Sequence, residues 1–329
     1  MPHQPFRIST HPKLTIVVLV YNMAREARRT LHSLSSAYQR GVRHEDYDIL
    51  VVDNGSAQPL DAAEIAAFGP NFQYVKIPAS DAKPSPCAAI NAAVASTYTP
   101  YVAVMIDGAR IASPGCVALA LLALDQFPCA VVATIGLHLG PFMQKWAAEA
   151  RYDAATEDCL LESINWPDNG YRMFEISALT GVNWMAWLGP MAESNLIFLP
   201  RTIYDSVGGL DEGFDLPGGE IANLDFYNRV SEQEGVTLVS LFGEATFHQI
   251  HGGTMSSLPA EQTKNEVALY LERFQNRRGA AFRFSTRQPL LFGPMRPEIK
   301  QLLALVLDPN RTGPMARPNA LPTRHSEQK

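Results

Sequence analysis

The chain of 329 residues is 47% apolar and 18% charged, enough to bury a sizeable core; this excludes a disordered polymer and leaves one large α/β unit or two fused small ones. A formal charge of −6 gives no general attraction to nucleic acid, and no basic stretch with interleaved aromatics offsets it, so no nucleic-acid partner is expected. Cys87, Cys116, Cys129 and Cys159 form no CxxC pair, no apolar run reaches the roughly 18–20 uncharged residues of a membrane helix, and Met1 to Pro12 lacks a continuous apolar stretch, so a disulfide framework, a membrane span and a secretory signal are not expected and a cytoplasmic protein is.

Leu14–Val20 is a short β-branched apolar run that ends at Tyr21-Asn22, the pattern of a strand buried on both faces. A helix follows, with Leu31, Leu34 and Tyr38 on its apolar stripe and Arg25, Glu26, Arg28 and Arg29 on its wet side, stopping near Gly41. A second strand at Asp48–Val52 breaks at Asp53-Asn54-Gly55-Ser56, a run of turn formers. Tyr74–Ile77 reads as a third strand, Ala88–Ser96 as a helix, and Tyr101–Ile106 as a fourth strand ending in Asp107-Gly108-Ala109-Arg110. Strand, helix, strand in this order implies a doubly wound, mostly parallel sheet flanked by helices. Ligands of such sheets sit beyond the carboxyl ends of the strands, where three strands here carry polar tips; each tip taken alone also fits a structural turn.

Trp166 to Asn195 is rich in aromatics, Trp184 and Trp187 among them, and such rings can stack on sugar C–H faces or simply fill a core. Further on, Phe247-His248-Gln249-Ile250-His251-Gly252-Gly253 places two histidines three apart, on strand geometry facing opposite sides, so that only one, His251, is expected to reach a ligand while His248 lies behind it or in the core. A zinc site is not expected, because two histidines alone leave a third ligand unaccounted for. Ala260–Gln275 has the pattern of an amphipathic helix with Val267, Leu271 and Phe274 on one face. Arg277, Arg278, Arg283 and Arg287 then make a basic cluster that fits either anionic lipid or a solvated surface.

Thr15 to Asn22 and Val51-Val52-Asp53-Asn54-Gly55-Ser56 resemble the first two strand ends of the family 2 glycosyltransferases of the GT-A fold. Ala88 to Ala93, Asp107 after an apolar strand, Val207-Gly208-Gly209-Leu210-Asp211-Glu212 and the segment from His248 to Gly253 continue the series, over roughly residues 14 to 255. The resemblance implies inverting transfer of a sugar from a nucleotide-diphosphate sugar to a hydroxyl of a glycan, polysaccharide or lipid-linked acceptor, at the cytoplasm or peripherally at the inner face of the membrane. It implies domain limits of 14–258 for the transferase, with 14–110 binding the nucleotide and 111–258 carrying the acceptor and catalytic half. Around it stand an extension at 1–13, a C-terminal helical extension at 259–307 and a disordered tail at 308–329.

By the same resemblance Asp53 accepts a hydrogen bond from the donor's base, Tyr21 flanks the nucleotide, Asn91 faces the same pocket, and Asn22, Asn54, Ser56 and Gly108 line it. Asp53 also fits an Asx-turn. Asp107 stands where the family carries a DxD motif that holds a divalent cation, manganese or magnesium, on the diphosphate with help from His251. The second acid is Ala109 here, so the motif is incomplete and Arg110 is an alternative partner for the diphosphate, or a surface residue. The family's base lies in a Glu-Asp-x-Asp segment, whose place is taken by Ala222-Asn223-Leu224-Asp225. Asparagine cannot accept the proton, which leaves Asp225, Glu220 or Glu193 as base. Asp225 also fits an ion pair with Arg229, and Glu220 an acid favoured at a helix start. Trp184, Trp187 and Glu193 fall where the acceptor pocket is expected. These departures keep a second reading open, a degenerate module that holds a nucleotide-sugar or a protein partner without turnover.

Overall fold

The computed structural model describes residues 12–143, 151–252 and 260–310. In chain order its elements are β1 (Leu14–Val20), α1 (Ala24–Leu34), β2 (Tyr47–Asn54), α2 (Ala62–Ala66), β3 (Phe72–Ile77), α3 (Cys87–Ala95), β4 (Tyr101–Met105), β5 (Arg110–Ala112), α4 (Cys116–Gln126) and β6 (Ala130–Leu139). They continue with α5 (Ala154–Ser163), β7 (Ser177–Leu179), β8 (Leu196–Pro200), α6 (Arg201–Ser206), α7 (Ala222–Ser231), β9 (Thr237–His248), α8 (Ala260–Arg278), β10 (Leu290–Phe292) and α9 (Lys300–Leu307). The expectations for 1–11, Gly253 and 311–329 lie outside the described residues. Among the described residues no helix is long and apolar enough to cross a membrane.

One sheet organises the molecule, in the order β10-β9-β6-β8-β4-β1-β2-β3, with β5 on β9 and β7 on β6. The pairs β1–β2, β1–β4 and β2–β3 are parallel, as the strand–helix–strand order predicts, while β8 runs antiparallel between β4 and β6. All seven residues of β1 are buried, because alternate side chains meet two different helical layers. Ile16 and Val18 pack with Leu31 of α1 and Val117 of α4; Val17 and Leu19 pack with Ile90 and Val94 of α3. This mixed α/β sheet flanked by helices is the architecture the sequence predicts. The parallel order brings the C-terminal tips of β1, β2 and β4 to one edge.

Two expectations about surface charge are corrected. The wet side of α1 is covered in part: Arg28 stays exposed beside Glu64, but Glu26 is buried, and Arg25 and Arg29 donate to Asp158 of α5, with Arg25 also reaching Glu157. A helix more than a hundred residues away supplies that cover, so the local pattern of α1 carries no sign of it. On α8, Val267 and Leu271 are exposed and only Phe274 of the expected stripe is buried. Arginines dock this helix instead: Arg273 pairs with Glu220 and Asp215, Arg277 with Asp211, and Arg278 with Asp211 and Asp225. Arg287 donates to the carbonyls of Ser231 and Gln233. Arg277, Arg278 and Arg287 are therefore committed within the fold rather than spread as a patch toward lipid.

The segment expected to be a helical extension also contributes β10, which lies parallel on β9 and so joins the main sheet. Arg296 anchors it further, donating Nε and a terminal nitrogen to Glu244 at 2.9 and 2.7 Å and stacking 3.9 Å over the Tyr171 ring. Glu244 has no exposed side-chain surface and also accepts from Ser113, Gly115 and Tyr171. Removing the only cation that pairs with this carboxylate among the described residues leaves a buried charge without its counterpart, which costs about 3 kcal/mol or more. Arg296→Ala is accordingly expected to lower Tm by several degrees in a thermal melt. Arg296→Lys should recover only part of it, because an ammonium cannot reproduce the two bonds that converge on Glu244 Oε1 and the ring stacking.

Candidate active site

The tips of β1 and β2 are tied to each other. The Asn22 N–H donates to Ser56 Oγ at 2.8 Å, Asn22 Oδ1 accepts from the Ala57 N–H at 2.9 Å, and the Ser56 N–H donates to Asp53 Oδ1 at 2.8 Å. Gly55 takes φ of 81° inside this turn, and a Cβ there would come within 2.6 Å of Ala82 Cβ. Asp53 is fully buried, its second oxygen accepting from Tyr74 Oη at 3.3 Å, and Asn54 Nδ2 donates to the Lys83 carbonyl at 2.9 Å. The structure thus gives Asp53 the contacts of an Asx-turn. Tyr21 stays 53% exposed, free to flank a ligand.

Asn91 is likewise engaged within the fold. Its Nδ2 donates to the Leu210 carbonyl and Glu212 Oε1, both at 2.9 Å, and its Oδ1 accepts from the Leu210 N–H at 3.0 Å and Tyr204 Oη at 2.6 Å. Every hydrogen-bonding position of the amide is used to hold the Gly208-Gly209 turn, where φ is 74° and 66°, so none is left for a nucleotide.

Chemistry gathers at the tip of β4. Asp107 Oδ1 accepts from the Ala109 N–H at 3.0 Å and Oδ2 from Arg110 Nε at 3.0 Å. Gly108 lets this loop press on β1, since a Cβ there would lie 3.0 Å from Val20 Cγ2 and 3.2 Å from the Leu19 carbonyl oxygen. Arg110 opens β5 and stands in register with His248 at the end of β9, itself in register with His138 of β6. His248 Nε2 and His251 Nε2 are 3.0 Å apart, and one ligand atom from each of Asp107, His248 and His251 lies within 4.8 Å of the others.

The expectation that only one histidine reaches the site is overturned, and with it the missing third ligand. Strand parity stops at His248, where β9 ends. The Gln249 N–H donates to the Ala109 carbonyl, Gln249 Nε2 to the Glu26 carbonyl, and the Ile250 N–H to Glu157 Oε2 at 2.7 Å, while Arg25 donates to the Ile250 carbonyl. These bonds turn the chain so that His251 returns beside His248. Thus the charges of α1 and α5 position the His251 segment. Burial pulls both histidines below the ordinary imidazole range, with Arg110 adding to it, and pushes His138 down to about 3. Burial thus favours the neutral form of all three rings at pH 7.

The candidate acids separate sharply. Asp225 is 2% exposed and accepts from Arg229 Nε at 2.8 Å and from Arg278 at 2.8 and 2.7 Å. Glu220, whose side chain has no exposed surface, accepts from the Leu216 N–H and Arg273 Nε. Both carboxylates are sealed within the fold and shared with guanidinium groups. Glu193 differs. It is half-buried, and its two oxygens accept only from neutral amides, Asn223 Nδ2 at 3.0 Å and Asn195 Nδ2 at 3.4 Å. Asn223 also donates to Asn195 Oδ1 at 3.2 Å. Asn195 adjoins Arg110: a Cβ on Gly136 would lie 3.1 Å from Asn195 Nδ2 and 3.8 Å from the Arg110 terminal nitrogen. The role of Asn195 had no signal in the sequence, and that of Asn223 had only its place in the altered acidic segment. Trp187 is corrected to core, 1% exposed with Nε1 donating to the Glu244 carbonyl, whereas Trp184 keeps 37% exposure.

Residues 15–181, just over half of the chain, match the family model described as Glycosyl transferase family 2. No curated relative matches at the sequence level. Among solved structures, the chain is similar to S. aureus TarS 1–349 in complex with UDP-GlcNAc, at 12% identity and a TM-score of 0.48, covering 80% of this chain and 67% of that one. It is also similar to the mannosyltransferase PcManGT from Pyrobaculum calidifontis in complex with GDP-Man and Mn2+, at 13% identity and a TM-score of 0.47, covering 92% and 72%.

Proposed function

The chain belongs to glycosyl transferase family 2 and is a glycosyltransferase; from that premise we propose that it transfers a sugar with inversion from a nucleotide-diphosphate sugar to a hydroxyl of a glycan, polysaccharide or lipid-linked acceptor. The observation that carries this reading is the convergence of Asp107, His248 and His251 beside Arg110, with Glu193 paired to no cation among the described residues. One carboxylate oxygen and two neutral imidazole nitrogens fit a divalent first-row cation, manganese better than magnesium, since imidazole is a poor ligand for the harder ion. Bound there, the cation would supply positive charge against the diphosphate as it leaves. Arg110, where the second acid of the family motif is lost, serves the same diphosphate from the other side. Tyr21 flanks the nucleotide, and Trp184, 37% exposed, lies on the acceptor side.

In this reading Glu193 is the base. Asn223, standing where the family places its acid, orients the Glu193 carboxylate through a 3.0 Å bond, so the proton acceptor has moved to a different segment while keeping the same neighbourhood. The direct test is release of nucleoside diphosphate from UDP- and GDP-sugars by the purified chain, with and without manganese. Slow, manganese-dependent release that accelerates with an acceptor is expected. Intact nucleotide-sugar binding with no release under any condition would instead establish a non-catalytic binding module.

A further inference from the structure

We propose that the side-chain amide of Asn183 reads a hydroxyl of the transferred sugar, an inference that rests on the glycosyltransferase reading above. Asn183 is 2% exposed, yet among the described residues neither its Nδ2 nor its Oδ1 has a hydrogen-bond partner. Its backbone is firmly held: the N–H donates to Thr180 Oγ1 and the carbonyl accepts from the Ala186 N–H, both at 3.0 Å. A buried amide with both ends unmet is costly and rare, and calls for a reason. A ligand that meets both ends supplies one.

The amide stands beside Gly136 and Arg110. The position a Cβ would take on Gly136 lies 3.9 Å from Asn183 Nδ2, 3.8 Å from the Arg110 terminal nitrogen and 3.1 Å from Asn195 Nδ2. Asn183 therefore shares its space with Arg110, the partner of Asp107, one linkage away from where a diphosphate would sit. A phosphate only accepts hydrogen bonds and would leave Oδ1 unmet, so the guanidinium suits the diphosphate and the amide does not. A hydroxyl both donates and accepts, and a pair of neighbouring hydroxyls on a sugar ring can take one bond from Nδ2 and give one to Oδ1.

Asn183→Leu tests this, because it keeps the volume while removing both polar atoms. No protein hydrogen bond of that side chain is lost, so Tm of the free enzyme should hold or rise. Calorimetry in manganese would compare UDP-glucose and UDP-N-acetylglucosamine with UDP, and GDP-mannose with GDP, following whichever donor the wild type binds most tightly. Affinity for the sugar nucleotide should fall about tenfold or more, with affinity for the free nucleotide unchanged. Gly136→Ala, whose Cβ would stand 3.9 Å from Asn183 Nδ2 and 3.1 Å from Asn195 Nδ2, should weaken the same sugar nucleotide selectively. Equal loss for sugar nucleotide and free nucleotide, or no loss in either variant, would overturn the assignment of Asn183 while leaving the transferase reading intact. Failure of the wild type to bind any of the five compounds would overturn both.

Discussion

Glu193→Gln is expected to cut transfer by about 10²–10⁴-fold, the usual scale for a lost general base, with donor affinity and Tm nearly unchanged. Glutamine keeps an oxygen to accept from Asn223 Nδ2 and nearly the same volume, so the polar cluster with Asn195 survives. What disappears is the capacity to take a proton from the attacking hydroxyl. A rescue sharpens the test: Asn223→Asp placed in the Glu193→Gln background returns a carboxylate to the position the family normally uses. Partial recovery of turnover would show that the two positions address one hydroxyl. An unchanged rate in Glu193→Gln alone would sink the assignment, since Asp225 and Glu220 are already closed off by Arg229, Arg278 and Arg273.

The halves of the molecule differed in what their residues could announce. β1, β2, β3 and β4 were legible because each is a short β-branched run ended by turn formers, and α3 because it lies between two of them. The sequence signal there is local, and the structure moved only the boundaries, as at β2, which runs on through Asp53 and Asn54. The site was legible where it sits on a strand tip, at Asp107, and illegible where it depends on pairing across the sheet. Nothing in His248-Gln249-Ile250-His251 states that the chain turns at Gln249; that follows from acceptors on Ala109, Glu26 and Glu157, far away in sequence. The ion pairs of Asp225 mark the opposite case. Arg229 four residues on was visible as a helical neighbour, but Arg278, which completes the seal, arrives with α8 from the far end of the chain. Apolar patterning could not foresee this docking, because arginines rather than the expected stripe attach α8.

Asp107→Asn is expected to abolish manganese stimulation and lower turnover by roughly 10²–10³-fold, the scale for removing a group that stabilises developing charge. Asparagine retains an oxygen for the Ala109 N–H, so the loop at Gly108 keeps its shape and the loss reports the charge, not the turn. The same substitution releases Arg110 from its 3.0 Å ion pair. Two carriers of positive charge, a cation and Arg110, can each serve the diphosphate, and the variants separate them. If the cation dominates, His251→Ala should match Asp107→Asn, and the double variant should fall little further, because ligands of one ion act as a unit. If Arg110 dominates, the wild type would be indifferent to chelation and Arg110→Met would carry the large loss, while Asp107→Asn, which frees the guanidinium, would leave turnover largely intact. Chelator-insensitive turnover in the wild type would therefore remove the metal from this site and hand its role to the guanidinium that replaced the second acid.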